Sequence, residues 1–463
     1  MENRPVTTTQ RFINIIAKIN EYPIGFMLFI VLSMLIPRFY RIINVYWVGH
    51  IDYSALAIAE QYEFIGIIIE IVNESIPFGI LALVSQHYKK REKIIEQLKT
   101  GVLLQLFFSI LFTSIIFFNI NSFVDLIGTE IVLVDQTVRY LRIRALALPF
   151  ESLAMLLILG LKSMDRPKVA LLAVTGNVIF NIFLDILLVS NISFSLQWGL
   201  QGVAWGFLLS NILFFLTSLT LTIKTLNLKK DELGLTNTKN EAIHLFGIGG
   251  WTGIDSLVRN MFYFVTLQVL NFLGSDQYAG FQLFQMIMWT VLIPVIALSQ
   301  GTSIRIGNYL EEKNAKEKIL SVLVVSSTLA FAFISLFGVL GLFSIDRLGF
   351  TFTNNPDVVY YSSTMFYWQI IPYILFAASM NIRSIFYGTG KTKNILIVSL
   401  ILNLGVIFPF FLMMDNGIIA KSFASVMLMF VFVDFIDFIV TILLARRTYS
   451  KLSSYTMRAR TVD

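Results

Sequence analysis

The sequence predicts an all-α integral membrane protein, in which twelve transmembrane helices form two six-helix bundles related by a pseudo-two-fold axis along the membrane normal. Of the 463 residues, 56% are hydrophobic and only 14% are charged. Soluble domains average about 45–50% apolar and about 25% charged residues. The mean hydropathy is +0.75. Apolar runs long enough to cross a bilayer also recur between clusters of charge, which favours one large bundle over several globular domains.

The composition also excludes several kinds of site. The chain has no cysteine, so disulfides, thiolate zinc sites and iron–sulfur clusters are ruled out. The histidines His50, His87 and His244 are too scattered to predict a metal site. The formal charge of +6 is typical of nucleic-acid binding or of basic cytoplasmic loops. The second interpretation fits an apolar chain, and no nucleic-acid partner is predicted.

Each predicted span is an apolar run of about 20 or more residues bounded by clusters of charged residues. The twelve spans are Ile24–Val48, Ala55–Val84, Gly101–Asn119, Thr137–Leu161, Lys168–Val189, Gly199–Ile223, Ala242–Asn271, Tyr278–Ser303, Ile319–Phe343, Val359–Tyr387, Ile395–Met414 and Ser422–Ala445.

The distribution of Lys and Arg predicts the orientation, because cytoplasmic loops carry an excess of these residues. With a cytoplasmic N-terminus, the predicted outer loops contain only Arg347 and Lys421. The predicted cytoplasmic loops and both termini each contain two or more Lys or Arg residues. Both termini are therefore expected in the cytoplasm of a multi-pass protein of the cytoplasmic membrane.

A polar segment at Leu228–Asn240 divides the chain into two similar halves. Aligning the loop Ser163–Lys168 with Gly388–Lys393 brings the halves into register. The predicted organisation is an N-terminal six-helix bundle (1–227), a cytoplasmic linker (228–241), a C-terminal six-helix bundle (242–447) and a cytoplasmic tail (448–463). An even number of helices in each half predicts a parallel repeat, whose interface would form a cavity for a translocated molecule.

The segment YLRIRALALPFESLAMLLILGLKSMDRPKVALLAVTGNVIFNIFLDILLV, at Tyr140–Val189, resembles the fourth and fifth helices of the multidrug and toxic compound extrusion (MATE) family. Its pattern is Tyr-x-Arg, a later Pro, a polar loop with Lys, and Asn-x3-Asn-x3-Asp. Three further segments are similar to the family, at Trp47–Ala59, Gly199–Gly206 and Ala297–Asn314. The resemblance covers essentially the whole chain and implies two bundles that export amphipathic, often cationic compounds in exchange for protons or sodium.

The chain departs from the family pattern at three places. Asn44 stands where many members carry an acid near the end of the first helix, and a glutamate of the seventh helix is missing, although Asp255 lies within about a turn. A hydroxyl at the start of the sixth helix is replaced around Gly206–Phe207. The coupling ion, proton or sodium, and the substrate range are therefore left open.

Asn177, Asn181 and Asp185 are the strongest candidates for ion coupling, since steps of four residues place them on one stripe of a helix. A carboxylate in an apolar run costs at least ~2.5–3.5 kcal/mol on insertion scales and is a functional candidate by default. Asp185 could bind and release a proton as the cavity alternates between wet and dry. The alternative is an interhelical hydrogen bond that only holds the helix in position.

The second span carries a stripe of four acids, Glu60, Glu63, Glu70 and Glu74. Glu70 and Glu74 lie deeper in the span and are candidates for ion coupling or for contact with a substrate cation. The first span contributes Arg38 and Arg41, which antiparallel pairing across the short outer loop would bring to Glu60, Glu63 or Glu70. For Arg38, Arg41, Glu60 and Glu63 a structural ladder of ion pairs is predicted.

Several single residues outside these two stripes are further candidate site residues. Glu151 follows Pro149, and together with Asp255 and Asn44 it is a predicted substrate-binding residue. Arg259 lies four residues after Asp255, which favours an intrahelical structural pair. The C-terminal half also contains Arg383, Asp434 and Asp437, but the N-terminal half is predicted to hold most of the ionisable machinery.

The predicted function is a secondary-active antiporter of the MATE type, not an enzyme. The chain contains no P-loop and no HExxH pattern, and GTGKTKN at Gly388–Asn394 lacks the spacing that phosphate binding requires. No cofactor is predicted beyond the coupling ion. The expected partners are a small-molecule substrate and the lipid bilayer, with the protein as a monomer. A flippase for a lipid-linked saccharide is the alternative, weakly favoured by the intramembrane arginines, and a membrane-embedded transferase is the third hypothesis.

Overall fold

The computed structural model describes residues 23–49, 51, 53–190, 192–229, 232, 234 and 238–452. Within these residues the chain is helical and contains no strand, as the sequence predicts. In the first half of the chain the helices are α1 Ile24–Gly49, α2 Tyr53–Glu60, α3 Tyr62–Gln86, α4 Arg91–Phe118, α5 Ile120–Ile127, α6 Val134–Ser163, α7 Pro167–Leu188 and α8 Gly199–Leu226. In the second half they are α9 Thr238–Leu273, α10 Ser275–Tyr309, α11 Ala315–Phe350, α12 Pro356–Gly388, α13 Lys393–Leu402, α14 Phe408–Asp415 and α15 Phe423–Ser450.

Eleven helical stretches among the described residues are long and apolar enough to cross a membrane, judged by length and composition. The seventh predicted span, Ala242–Asn271, lies within the 36-residue helix α9, but α9 is not among these eleven. It carries the charged residues Glu241, Asp255 and Arg259 along its length.

Two predicted spans differ in detail from single α-helices. The second is divided at Gln61, whose amide donates to the carbonyl of Ile58 in a tight turn between α2 and α3. The eleventh widens into a π-helical turn at Asn403–Ile407, just before Pro409. Proline cannot donate a backbone hydrogen bond and clashes with the carbonyl four residues earlier, so a wider turn relieves the contact.

The chain divides into two compact units. The N-unit is Leu32–Ser256, and the C-unit combines the described residues of Met1–Val31 with those of Leu257–Asp463. The limits of the units fall inside α1 and α9. The domain limits predicted from the sequence stay a prediction.

Each unit has its own apolar core. In the N-unit, α3, α4 and α6 contribute Ile80, Leu98 and Leu157 to one buried cluster. In the C-unit, Phe281 and Phe366 pack in a cluster that joins α10 to α12. Burial of apolar side chains away from lipid gives each bundle a defined interior, against which polar groups can be held in place.

The polar linker after α8 is fastened to the start of α4. Arg91 makes a bidentate contact with the Glu232 carboxylate, with N–O distances of 2.5 and 2.8 Å, and its Nε donates to the carbonyl of Leu226 at 2.8 Å. Lys99 donates to the backbone carbonyl of Glu232 at 2.7 Å. The hydrogen bonds from Arg91 and from the backbone amide of Lys229 lower the pKa of Glu232 to about 2. The linker is therefore held by charge-assisted hydrogen bonds.

Candidate functional site in the N-unit

A hydrogen-bonded chain joins α1 to α7 inside the N-unit. The hydroxyl of Tyr40 donates to Oδ2 of Asp185 at 3.0 Å, and the amide of Asn44 donates to the hydroxyl oxygen of Tyr40 at 3.2 Å. Tyr40 and Asn44 lie one turn apart on α1, so they share a face. Asp185 is only 2% exposed. The carboxylate is thus enclosed by protein and has a specific donor.

Helix α7 has a polar face and an apolar face. Ile179 and Phe183, four residues apart, are 62% and 53% exposed, which is expected of side chains that face lipid. Asn181 is buried and Asn177 is half-buried on the other side, in register with Asp185. The stripe predicted from the sequence therefore points into the unit.

The amide oxygens of Asn177 and Asn181 are buried but accept no hydrogen bond from the described residues. Buried polar atoms are normally satisfied, so unpartnered ones point to a ligand, an ion or water. These two acceptors lie on the same stripe as Asp185. The stripe therefore offers oxygen atoms to a bound group.

Helix α8 packs closely on α7 because it presents glycines at the contact. A Cβ added at Gly202 would lie 2.8 Å from the carbonyl oxygen of Leu188, which is closer than real Cβ atoms come. One turn further, a Cβ at Gly206 would lie 3.9 Å from Oδ1 of Asp185. The missing side chains let α8 form a wall beside the carboxylate.

Arg144 on α6 is held against two aromatic rings from other helices. Its guanidinium carbon lies 3.6 Å from the centroid of the Phe207 ring and 3.9 Å from that of Tyr62. The two rings meet edge to face, with their centroids 6.0 Å apart. Such contacts between a cation and ring faces stabilise the cation by about 0.5–2 kcal/mol, more when the site is desolvated. Tyr62 and Phe207 therefore form an aromatic cage around Arg144.

Arg144 is the cation shared by the two acids of the site. It interacts electrostatically with Asp185 and with Glu151, which lies two turns along α6. Oε2 of Glu151 and Nε of Arg144 are both buried without a hydrogen-bond partner among the described residues. The site thus combines two acids with a buried guanidinium and with unused donors and acceptors. It can bind a proton or a cation, and it can hold a polar or aromatic ligand.

The structure brings three of the predicted site residues together: Asp185 and Asn44 through Tyr40, and Glu151 through Arg144. Asn177 and Asn181 share the stripe of Asp185. Glu70 and Glu74 are half-buried on α3, and their roles in ion coupling stay predictions.

The predicted ladder of ion pairs falls only partly on described side chains. Arg38 is half-buried and Arg41 is exposed on α1, and Arg41 interacts electrostatically with Glu151. The side chains of Glu60 and Glu63 lie outside the described residues, and so does their predicted pairing with the arginines.

Asp255 and Arg259 both lie on α9, on opposite sides of the limit between the units. Asp255 is buried in the N-unit, 6% exposed, and Arg259 is half-buried in the C-unit. Their roles as a substrate-binding residue and a structural cation stay predictions.

Sequence reasoning missed Tyr40 and Arg144. Tyr40 precedes Asn44 by one turn, but an uncharged tyrosine in a span gives no distinct signal. Arg144 did give one, because a cation within the predicted span Thr137–Leu161 is costly and therefore a functional candidate.

A bundle of membrane-spanning helices in two repeated halves, with a buried and hydrogen-bonded carboxylate inside one of them, defines a polytopic membrane transporter. The sequence profile of the MatE family matches residues 30–187 and again 252–413, once in each half. The chain belongs to the MatE family, as its resemblance to MATE proteins predicts. Members of this family are secondary transporters, not enzymes, and bind small-molecule substrates within the membrane. The protein is accordingly a multi-pass protein of the cell membrane.

Two relatives are similar over most of the chain. The multidrug export protein MepA of Staphylococcus haemolyticus is 24% identical over 355 residues, covering 72% of this chain and 74% of MepA. The uncharacterized transporter YisQ of Bacillus subtilis is 22% identical over 326 residues, covering 69% of this chain and 70% of YisQ.

Solved structures share the fold. A MOP superfamily transporter from Pyrococcus furiosus superimposes with a TM-score of 0.81 at 16% identity, covering 93% of this chain and 96% of the other. A mutant of the Vibrio cholerae MATE transporter VcmN gives a TM-score of 0.79 at 14% identity, covering 95% and 99%. These likenesses confirm the predicted two-lobe helical fold.

Proposed function

We propose that this chain is a secondary-active antiporter that exports amphipathic, cationic organic compounds in exchange for protons or sodium ions. The observation that carries the proposal is the carboxylate of Asp185, 2% exposed and hydrogen-bonded by Tyr40 inside the N-unit. An intramembrane acid of this kind is expensive to bury and is typical of ion-coupled transport. The name of the relative MepA, a multidrug export protein, supports export of drug-like compounds.

The hydrogen-bond chain suggests how a coupling ion changes the structure. An ionised Asp185 accepts from Tyr40, but a protonated carboxyl group carries a donor of its own. The neutral group can still accept from Tyr40, whose oxygen accepts from Asn44 at 3.2 Å, but without the negative charge this hydrogen bond is weaker. Protonation therefore weakens the link between α1 and α7 and allows them to separate.

Substrate binding is proposed to use the unpartnered oxygens of the same unit. The carboxylate of Glu151 and the amide oxygens of Asn177 and Asn181 can accept hydrogen bonds from an organic cation or contact it directly. Asn44 and Asp255 complete the proposed substrate-binding set, with Glu70 and Glu74 assisting ion coupling. The proposed transporter works as a monomer, with both termini in the cytoplasm and no cofactor other than the coupling ion.

A flippase for a lipid-linked saccharide is the second candidate. Arg144, a half-buried cation on a membrane-spanning helix, favours it, because a diphosphate group would need a cation inside the membrane. For the Pyrococcus furiosus transporter, a reverse polarity of the binding pocket suggests a different function. A site with arginines would fit an anionic substrate.

Transport by the purified protein in proteoliposomes tests the proposal. A pH gradient and a sodium gradient are imposed separately, and accumulation of a fluorescent organic cation is followed. Accumulation driven by one of the two gradients is expected. If neither gradient drives it while a labelled lipid-linked saccharide crosses the bilayer, the flippase replaces the antiporter.

A further inference from the structure

The last helix, α15, carries two acids near the middle of its 28 residues. Asp434 and Asp437 are 9% and 1% exposed, and α15 is one of the helices apolar enough to span a membrane. Three residues apart on a helix, they share one face. They lie in the C-unit and do not belong to the site described above.

Asp437 is fully engaged by the neighbouring helix α12. Its carboxylate forms an ion pair with Arg383 and accepts a hydrogen bond from the hydroxyl of Ser379. Thr441, one turn along α15, donates a further hydrogen bond at 3.3 Å. Asp437 thus has the donors that a buried carboxylate requires.

Asp434 differs from Asp437 in its hydrogen bonding. Among the described residues it makes neither a hydrogen bond nor an ion pair, although it is nine-tenths buried. It lies on the same helix face as Asp437 and interacts electrostatically with Asp437 and with Arg383. The nearby cation, Arg383, is already paired with Asp437.

The other titratable groups that interact with Asp434 among the described residues do not balance its charge. Tyr373 on α12 interacts electrostatically with it, but the hydroxyl of Tyr373 donates to Oε1 of Gln285 at 3.1 Å. Tyr263 on α9 interacts electrostatically with Tyr373 and is uncharged as well. Two carboxyl groups consequently share one guanidinium in an apolar setting. Buried charges in a membrane are paired or neutralised, so one of these acids needs a further cation.

We propose that Asp434 is a second proton-binding group of this transporter, located in the C-unit and distinct from Asp185. When Asp434 is protonated, Arg383 forms its ion pair with Asp437 alone, which is the pair present in the structure. When the proton leaves to water, Asp434 competes for Arg383, and the guanidinium is shared between the two acids. The contact between α12 and α15 changes as a result. The use of this proton in transport rests on the proposed antiport, whereas the binding of the proton does not.

The proton can be observed directly by infrared difference spectroscopy of the purified full-length protein during a pH titration. A protonated carboxyl group has a carbonyl stretch apart from the amide bands. The variant Asp185→Asn/Glu151→Gln serves as the background, so that neither acid of the N-unit site can contribute. We expect this background to show a carboxyl band that decreases at alkaline pH, and the addition of Asp434→Asn to remove the contribution of one carboxyl group from that band.

Asp415 provides the matched control. It is an exposed acid paired with Lys421 at 2.7 Å, so Asp415→Asn in the same background should keep the band. If Asp434→Asn does not fold, Asp434→Glu in that background should keep a band at a shifted frequency. A band that persists unchanged in the Asp434 variants overturns the inference, as does a band removed at constant pH by sodium chloride. No substrate or gradient is needed, so a failure of drug transport would leave this result standing.

Discussion

The hydroxyl of Tyr40 on α1 donates to Oδ2 of Asp185 on α7 at 3.0 Å. This contact joins two helices that are far apart in sequence and gives the buried acid a donor. Because a hydrogen bond to a charged group contributes about 1.5–3 kcal/mol, the ionised state of Asp185 depends strongly on it.

Replacement of Tyr40 by Phe tests this dependence. Without the hydroxyl the ionised carboxylate loses its donor, so the variant should need a more alkaline medium to release its proton. The pH profile of cation uptake should move to higher pH by roughly one unit, since about 1.4 kcal/mol corresponds to a factor of ten. Tyr367→Phe, at a half-exposed position on α12, is the control. Superimposable profiles for Tyr40→Phe and wild type would contradict the role of the hydroxyl.

Substitutions at Arg144 separate the two candidate functions. Arg144→Gln frees the aromatic cage of Tyr62 and Phe207 and removes the larger of the two arginine interactions of Glu151. Apparent affinity for an organic cation should then rise roughly two- to thirty-fold, the range of a cation–π contact. Arg144→Lys, which keeps the charge, should stay closer to wild type. Equilibrium binding of a fluorescent organic cation measures both. A flippase that needs the arginine would instead lose its anionic ligand in the Gln variant.

Glycine at position 202 should be essential for the packing of α7 on α8. An alanine Cβ would meet the Leu188 carbonyl at 2.8 Å, and backbone atoms cannot move aside cheaply. Overpacking of this kind costs about 1–3 kcal/mol, so thermal unfolding in detergent should shift to lower temperature. Gly176→Ala is the control on α7, since a Cβ there meets nothing within 4 Å. Equal melting temperatures for the two variants would disprove the close contact.

Glu232 should stabilise the folded linker in a pH-dependent way. Its pKa is lowered from 4.5 to about 2 by Arg91 and by the Lys229 amide. A depressed pKa means that the stabilisation is present above about pH 4.5 and is lost as the pH falls toward 2. Glu232→Gln should therefore be less stable than wild type at neutral pH, with the difference shrinking in acid. Thermal unfolding as a function of pH measures this, with the exposed Glu130→Gln as control. A difference that is independent of pH would argue against the ion pair.

The features that could be predicted from the sequence are those that follow from residue spacing and from the distribution of charge. The stripe of Asn177, Asn181 and Asp185 follows from spacing alone, and the interior position of Asp185 agrees with it. The repeat was visible in the two similar loops, and the family profile matches each half separately. The stripe depends on residues close together in the chain, and the repeat on the similarity of short local segments.

Features that depend on contacts between distant residues were not predictable. Tyr40 becomes important only because α1 brings it to Asp185, and Arg144 is caged by rings from α3 and α8. The acids of α15 were visible as charges in an apolar run. The difference in their pairing was not visible, because it depends on which of the two acids forms the ion pair with Arg383. The prediction that the N-terminal half holds most of the ionisable machinery stays a prediction.

The most direct test of the account is uptake by proteoliposomes containing Asp185→Asn, with the exposed Asp415→Asn as the matched control. A fluorescent organic cation is offered under an imposed pH gradient and, separately, a sodium gradient. We predict that Asp185→Asn expresses and folds like wild type but accumulates no cation under either gradient, while Asp415→Asn transports normally. Gradient-driven accumulation by Asp185→Asn at the wild-type rate would contradict the central claim.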